Sequence, residues 1–530
     1  MTRLAWLANA AWQVAAQPAA RRFARAIHAC EEVQRAKLKN YLRSNAETAY
    51  GRRHCFSEIR SAEAYFDRVP VSSYSDMEPW INRIIQGETS VLTYAPVSHF
   101  ALTAGTGGPA KTIPYNGDFK GEFWSAVSVW IDDSFRTLPD LRNGPAYWSV
   151  SPALGQRRTP AGIPIGFEDD SAYLGGISQI LMNRILAVPG HVGRIQDLDA
   201  SRRITAALLL RSPDLRLISV WHPRFFSLLC DWMGENWETL LRDLHDGQTW
   251  PVGFSGNPAR AKELSALGPE DPTRFWPGLG LISTWGNGAA KRPFEELAGR
   301  FPGVTFQPKG IIATEAFLTF PYRGKYPLAV TSHFFELELE DGTCRPCWKL
   351  EPGMKGAPVV TTGGGFYRYR IEDILEVTEH LGSIPCLRFL AKRGHVSDLV
   401  GEKLDEAFVE RVLDNLLGKR RPEFAMLAPE GNTAQDRYVL YITASAQIDT
   451  AHLAETLDLA LSENVHYKLA RRLGQLERST VCIVSETAQA DYFHRMTMER
   501  SQKLGDIKPL VLSPLSNWGA WLKKKDNGMH

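Results

Sequence analysis

Apolar positions recur at helical spacing from the start of the chain. The stretch MTRLAWLANAAWQVAAQPAARRF continues as an amphipathic face through Arg21, Arg22 and Arg25, and residues 28–65 read as charge-rich helix, with an end marked by Asn45-Ala46-Glu47-Thr48 near Tyr50-Gly51. Pro70, Pro79 and short polar turns predict a connector between Val69 and Thr93, and a helix follows over Asp118–Trp130 with Asp118 as a possible cap. Short apolar runs then alternate with helical patterns. Strands are predicted over 146–151, 215–221, 279–285 and 304–313, and helices over 177–187, 201–210, 225–232 and 293–299. Such alternation argues for an α/β domain with largely parallel sheets. The run Phe335-Glu336-Leu337-Glu338-Leu339-Glu340 alternates strictly before Asp341-Gly342, which predicts an antiparallel hairpin with one wet face and more than one sheet in this part. Past Arg393 the pattern changes to a helix at 404–417, a strand at 438–444, a helix at 452–464 and a strand at 480–485, enough for a small α+β domain.

At 530 residues the chain exceeds one core and implies at least two domains. Its composition, 44% hydrophobic and 23% charged, is that of a soluble globular protein, and a net charge of +2 gives no reason to expect nucleic acid as partner. Seven scattered cysteines fit a reducing cytoplasm, and the single pair Cys344 and Cys347, without a second pair at ligand spacing, does not make a zinc site. The N-terminus carries Arg3, an apolar run and small residues near Pro18, as a secretory signal would. Asn9, Gln13 and Gln17 interrupt that run, however, and the amphipathic pattern outlasts it. No apolar stretch approaches the ~18 residues of a membrane helix, so a cytoplasmic protein is expected.

Candidate chemistry centres on Leu102-Thr103-Ala104-Gly105-Thr106-Gly107-Gly108-Pro109-Ala110-Lys111. Such a loop can turn tightly, offer backbone N–H groups to an anion and add two hydroxyls and a cation, which suits a polyphosphate, although Walker A spacing is absent. Ile311-Ile312-Ala313-Thr314-Glu315 reads as an apolar strand ending in a hydroxyl and a carboxylate, at the edge where α/β sheets bind ligands. That carboxylate could hold Mg²⁺ against a triphosphate, or could pair with a nearby Arg. Gly363-Gly364-Gly365-Phe366-Tyr367-Arg368-Tyr369-Arg370-Ile371-Glu372-Asp373 joins a flexible turn to two Tyr, two Arg and an Asp able to accept both ribose hydroxyls. Lys392-Arg393-Gly394 lies where a hinge would be placed, and Lys508, beside Gly505 and Pro509, could be swung onto a reacting carboxylate and phosphate. The strand-to-turn Leu279–Ala290 lacks the third Gly of a dinucleotide fingerprint, and Val252–Asn257 lacks nucleophile-elbow spacing. None of the 13 His residues has metal-ligand spacing.

Taken in order, these pieces resemble the auxin-responsive acyl-acid amido synthetases, the Gretchen Hagen family of plants with bacterial members, within the adenylate-forming ligase superfamily. The resemblance rests on Asn45-Ala46-Glu47-Thr48-Ala49-Tyr50-Gly51, Val69-Pro70-Val71 with Tyr74, Gly87-Glu88, Val97 through Pro114, and Val220-Trp221-His222-Pro223-Arg224-Phe225. It continues through Ala313-Thr314-Glu315, Phe366-Tyr367-Arg368-Tyr369-Arg370 and Gly401-Glu402-Lys403. It implies an adenylate-forming ligase architecture: a large multi-sheet α/β domain over 1–393 that binds ATP and the acyl substrate, and a smaller mobile α+β domain over 394–530. By the resemblance, Thr103, Gly105, Thr106 and Gly108 wrap the phosphates, with Lys111 closing the loop. Thr314 and Glu315 serve the adenine and Mg²⁺ side, and Asp373 the ribose. Arg393 and Lys403 take the basic positions after the hinge, and Lys508 acts in adenylation. The loop departs from the family at Ala104 and Gly107 and in length, and Glu372 stands where the family has Gly.

The expected reaction has two steps, adenylation of a carboxylic acid by ATP and transfer of the acyl group to an amine such as an amino acid. ATP and Mg²⁺ are the expected cofactors, and a monomer is expected, with no membrane and no nucleic-acid partner. An acyl-CoA ligase sharing the first step and a catalytically silent nucleotide-binding homologue are the alternatives.

Overall fold

A computed structural model describes residues 2–102, 111–149, 157–166, 185–195, 197–249, 252–287, 290–392, 396–397, 399–400, 402, 404–418, 421–430, 436–443, 448–500 and 510–522. Its Cα positions cluster into two compact units. The first takes in residues up to 102, Lys111–Ile371 and Leu375–Phe389; the second takes in Glu372–Ile374 and the chain from Leu390 onward.

In the first unit the amphipathic start forms helix α1 (Thr2–Ala26), which buries Trp12, Ala16, Ala19 and Phe23. The Trp12 ring meets Phe135 edge-on at 6.1 Å, and Asn9 donates to the Gly144 carbonyl at 2.9 Å, so this face is committed to the core. Among the described residues no helix is long and apolar enough to cross a membrane. Residues 28–65 divide into α2 (Cys30–Ser44) and the short helices Ala49–Arg53 and Ala62–Arg68, the former capped by Thr48, whose hydroxyl accepts from Gly51 N. The expected connector contains a helix, α3 (Tyr74–Ile85), despite Pro79 within it. Ser73 and Asp76 form a capping box, and the buried Met77, Ile81 and Ile84 supply the packing that offsets one lost backbone hydrogen bond.

Strands β1 (His99–Leu102) and β2 (Thr112–Tyr115) pair antiparallel with Leu102 opposite Thr112. Helix α4 (Gly117–Thr137) then runs past the expected end and is capped by Asn116 rather than Asp118: the Asn116 side chain accepts from Phe119 N at 2.9 Å and donates to the Gly363 carbonyl at 2.8 Å.

The alternating stretch builds β3 (Ala146–Trp148), α5 (Leu198–Leu210), β4 (Leu217–Ser219), α6 (Pro223–Glu235), α7 (Trp237–Asp246), α8 (Pro258–Leu267), β5 (Leu281–Thr284), α9 (Lys291–Arg300) and β6 (Thr305–Pro308). The strands form a four-stranded, all-parallel sheet in the order β6-β5-β4-β3. The expected helix at 177–187 lies almost wholly outside the described residues. The expected strand 304–313 stops at Pro308. Gly310 is pressed against the backbone of Thr319, where a Cβ would come within 1.9 Å of the carbonyl oxygen, so the chain folds back as a narrow ribbon instead of extending the sheet.

The hairpin of β7 (Phe334–Leu339) and β8 (Cys344–Pro346) is present, within a six-stranded antiparallel sheet that also holds β9 (Lys355–Thr361), β10 (Tyr369–Arg370), β11 (Asp373–Leu381) and β12 (Ile384–Lys392). Its expected wet face is dry at Glu336, which is 3% exposed. The carboxylate is held by the Arg368 guanidinium in a two-point pair at 2.8 and 2.9 Å, and the remaining Arg368 donors reach the carbonyls of Phe66 and Val69.

The second unit holds α10 (Glu406–Leu417), the three-stranded sheet of β13 (Ala425–Glu430), β14 (Arg437–Thr443) and β15 (Thr480–Val484), and the helices α11 (Thr450–Leu461), α12 (Val465–Arg472) and α13 (Ala488–Arg500). Leu404, Val409, Leu413, Leu440, Ile442, Leu457 and Leu461 pack into one of its cores.

Replacing Arg368 by Met leaves a buried carboxylate and two carbonyls without donors. The expected loss is about 3–5 kcal/mol of unfolding free energy, measured by urea denaturation, and adding Glu336→Leu should recover part of it. An unchanged midpoint in the single variant would show that the pair carries no stability.

Candidate functional site

Strand β2 links the two ends of the candidate site in the first unit. Its first residue, Thr112, donates its backbone N–H to the Tyr74 hydroxyl at 2.9 Å, and its last, Tyr115, donates its hydroxyl to the Thr314 carbonyl at 2.7 Å. Thr314 and Glu315 do not end a strand, as the apolar run suggests. They form the tip of the ribbon, in a turn closed by Ala313 N to Ala316 O at 2.9 Å and Ala316 N to Ala313 O at 3.3 Å.

Tyr74 stands among the charged groups. The Lys111 ammonium lies 5.8 Å from its ring centroid and donates to the Tyr369 hydroxyl at 3.4 Å. Burial raises the Tyr74 pKa, and the nearby carboxylates of Glu78 and Glu315 add to the effect. Lys111 is therefore held between Tyr74 and Tyr369, with Glu315 within electrostatic reach of Tyr74, while Thr314 is tied to the far end of β2. Thr103, Gly105, Thr106 and Gly108 lie outside the described residues, although the Leu102–Thr112 pairing fixes where their segment leaves and returns. Asp373 opens β11 and, with Glu372, is assigned to the second unit; Arg393, Lys403 and Lys508 lie outside the described residues.

Behind the Thr-Glu turn lies a buried polar assembly with no evident sequence signal. Glu122, in the second turn of α4, accepts from the Tyr41 hydroxyl, from His333 Nδ1 at 2.9 Å and from Gly363 N at 2.9 Å, with the Lys37 ammonium at 3.9 Å. His333 Nε2 in turn accepts from Phe317 N at 3.0 Å, which assigns the proton to Nδ1 and makes the imidazole neutral. Its pKa is lowered, chiefly by burial. The His333–Phe317 bond anchors the chain two residues past Glu315. On the other side, Glu122 and Phe119 press on the glycine turn: a Cβ on Gly363 would meet the Glu122 carboxylate at 2.9 Å, and one on Gly365, at φ +98°, would meet Leu92. The turn expected to be flexible is a packed one.

The aromatic-arginine motif is architectural as well. Tyr367 stacks on Tyr50 at 4.9 Å and donates to the Leu92 carbonyl, Phe366 stacks on Tyr369 at 4.4 Å, and Arg370 reaches Glu338 at 3.2 Å. In Trp221-His222-Pro223, the His222 side chain accepts from Arg224 N and caps α6. Cys347 is buried 3.7 Å from Cys30, all seven cysteines are free, and no group of metal-binding side chains occurs among the described residues.

Three family models cover most of the chain: the GH3 family N-terminal domain over residues 19–306, the central domain over 326–392 and the C-terminal domain over 407–515. The chain belongs to the GH3 family. Similar relatives include the indole-3-acetic acid-amido synthetase GH3.2 of Arabidopsis thaliana, 22% identical over 467 residues covering 78% of this chain and 84% of the relative. The indole-3-acetic acid-amido synthetase GH3.8 of Oryza sativa subsp. indica is 24% identical over 462 residues, covering 78% and 75%. Among solved structures, the GH3.15 acyl acid amido synthetase in complex with 2,4-DB aligns with a TM-score of 0.82 at 18% identity over 98% of each chain. A 2-hydroxyisobutyryl-CoA ligase in the postadenylation state aligns at 0.50 and 14% identity, covering 85% of each chain. The mixed α/β fold with several sheets is thus one shared with a solved acyl acid amido synthetase and, more loosely, with the CoA ligase.

His99, on β1 beside the candidate loop, provides a pH test. Burial, helped by Lys120, lowers its pKa from 6.5 to about 4. A depressed histidine contributes stability that is full above the unfolded pKa and is lost as pH falls from about 6.5 towards 4. The loss is roughly 3 kcal/mol at most, and His333 adds to it in the same direction. The melting temperature should fall over this window, and His99→Phe should flatten the slope; an identical slope in that variant would remove His99 from the account.

Proposed function

We propose that the protein is an ATP-dependent ligase that adenylates a carboxylic acid and passes the acyl group to an amine, an amino acid on the example of its relatives, releasing AMP and pyrophosphate. One observation supports the reading: in a chain matched by GH3 models over most of its length, Lys111 lies against Tyr74, within electrostatic reach of Glu315, at the strand that follows the Thr/Gly loop.

In this reading Thr103, Gly105, Thr106 and Gly108 present hydroxyls and backbone N–H groups to the triphosphate, and Lys111 offsets charge as pyrophosphate departs. Thr314 serves the adenine, Asp373 accepts from the ribose hydroxyls, and Arg393 and Lys403 add positive charge after the hinge. Lys508 approaches the reacting carboxylate and α-phosphate when the domain over 394–530 closes on the domain over 1–393, a motion of the kind that often gates turnover. Glu315 fits a divalent cation held mostly by phosphate: Mg²⁺ is usually bound through one or two carboxylates and substrate oxygens, and the described residues offer no larger cluster. Mg²⁺ bound there would withdraw charge from the phosphoryl oxygens. His333 and Glu122 keep the turn in place without touching substrate.

Amine is favoured over coenzyme A. A coenzyme A site needs cations for the 3′-phosphate, whereas Arg471 is engaged by Asp458 and the Leu476 carbonyl, and Arg421 by Asp414. Free cysteines fit a cytoplasmic protein, which we take to act as a monomer.

Purified protein with ATP, Mg²⁺ and a panel of aryl, indolyl and fatty acids should exchange labelled pyrophosphate into ATP. Lys508→Ala should depress that exchange by orders of magnitude with ATP binding largely intact, and Glu315→Gln should slow turnover. Asp373→Ala should chiefly raise the KM for ATP. A folded protein with no exchange on any acid would instead support a silent nucleotide-binding homologue. With an active acid fixed, mixed amino acids and coenzyme A should yield amide by mass analysis; acyl-CoA as the sole product would reverse the choice of acceptor.

A further inference from the structure

The parallel sheet carries polar residues in register on the face that α4 covers. Trp148 pairs with Ser219, Ser219 with Ser283, and Ser283 with Gln307, so in this parallel arrangement the four side chains lie side by side on one face. The cover is visible in Trp130 of α4, whose indole N–H donates to Gln307 Oε1 at 2.7 Å and whose ring lies 5.6 Å from that of Trp148.

Lys309 follows at the carboxyl end of β6. Its backbone N–H bonds to the Thr284 carbonyl at 2.8 Å, continuing the ladder one step. Its ammonium donates to Ser219 Oγ at 2.7 Å and lies 5.4 Å from the Trp130 ring centroid and 5.5 Å from that of Trp221. No carboxylate lies within 4.0 Å of it among the described residues. The side chain is set deep among protein atoms yet keeps an opening to solvent, and Trp221 at its edge is 37% exposed. Desolvation, with no compensating anion, lowers the ammonium pKa to about 7.

On the same face two further polar atoms lack partners. Ser283 Oγ belongs to a residue that is 0% exposed, and the indole N–H of Trp148 is also buried. Those two atoms are closed to solvent, and what faces the opening of the recess is an ammonium between the Trp130 and Trp221 rings, with no carboxylate among the described residues to meet it. Native interiors seldom leave such groups unmet, so the composition calls for an anionic oxygen on a ligand.

The geometry points to Lys309 as a specificity-determining cation that binds a second carboxylate on the side chain of the acyl acid, remote from the carboxyl that reacts. This rests on the ligase reading above. The reacting carboxyl is the poorer candidate, because the ligase reading already meets that group with Lys508. A cation at the far end of the substrate binds ground and transition states alike and so selects which acid is used. The bond is a charge-assisted hydrogen bond at the end of a site flanked by Trp130 and Trp221.

The test uses matched aromatic acids with and without a ring carboxylate, on the full-length protein and on Lys309→Met. Binding is followed without ATP by intrinsic tryptophan fluorescence, since indole rings flank the ammonium, and adenylation by pyrophosphate exchange. The wild type should bind the dicarboxylates at least tenfold more tightly than their partners and show the same ranking in kcat/KM. In Lys309→Met both ratios should collapse towards one. Equal affinities in the wild type, no fluorescence response to any acid, or a ratio preserved in Lys309→Met would each overturn the proposal. A uniform fall for all acids would also overturn it, by placing Lys309 on the reacting carboxyl. If the binding ratio behaves as expected while no acid supports exchange, it is the adenylation reading that fails and recognition by Lys309 that stands.

Discussion

One buried carboxylate, Glu122, sets the arrangement of the first unit. It sits on a helix where an apolar residue would pack at lower cost, and it is stable there because donors from three other chain segments converge on it. Tyr41 ties it to an early helix, His333 to the strand beyond the ribbon and Gly363 N to the glycine turn. Because His333 must accept from Phe317 N while donating to Glu122, the imidazole is confined to one tautomer and one orientation. The Thr-Glu turn is thus positioned by a relay of hydrogen bonds that begins far from it in sequence.

Around this centre, much of what makes the chain look like its family serves to build the scaffold. Thr48 caps a short helix, Tyr50 stacks on Tyr367, His222 caps another helix, and Arg368 is spent on Glu336 and two carbonyls. A motif rich in Tyr and Arg suggests recognition of a ligand. Here it acts as a clamp that fixes the strand leading to Asp373, and the left-handed backbone of Arg368, at φ 48°, is held by the same bonds.

Where side-chain periodicity decided the outcome, the sequence was readable: the first helix, the alternating stretch and the hairpin at 334–346 follow from it. It was misleading where one local rule was outweighed by another. Pro79 signalled a connector, but the Ser73–Asp76 box and an apolar face carried a helix through it. Ile311-Ile312-Ala313 continued an apolar run, but Gly310 fitted against Thr319 turned it aside. Glu336 occupied a position that alternation marks as wet, and only a partner 32 residues away made it dry. In the candidate site, Lys111, Thr314 and Glu315 stand out from local composition. Tyr74 was visible only as part of a family resemblance, and Glu122, His333 and Lys309 were not visible at all, since their roles depend on partners brought in by tertiary structure.

The narrow ribbon that carries the Thr-Glu turn has a consequence for how such a protein can diversify. Lys309 stands at its root and Glu315 at its tip, and the strand pairing behind it and the close fit of Gly310 on Thr319 leave no slack between them. An inserted or deleted residue in this stretch would displace the carboxylate along with the cation. Exchange of one side chain at the root alters only what the recess accepts. Change in substrate range is therefore open to point substitution and closed to length variation at this place, and the evolutionary record of the segment should be written in residue identity at constant spacing.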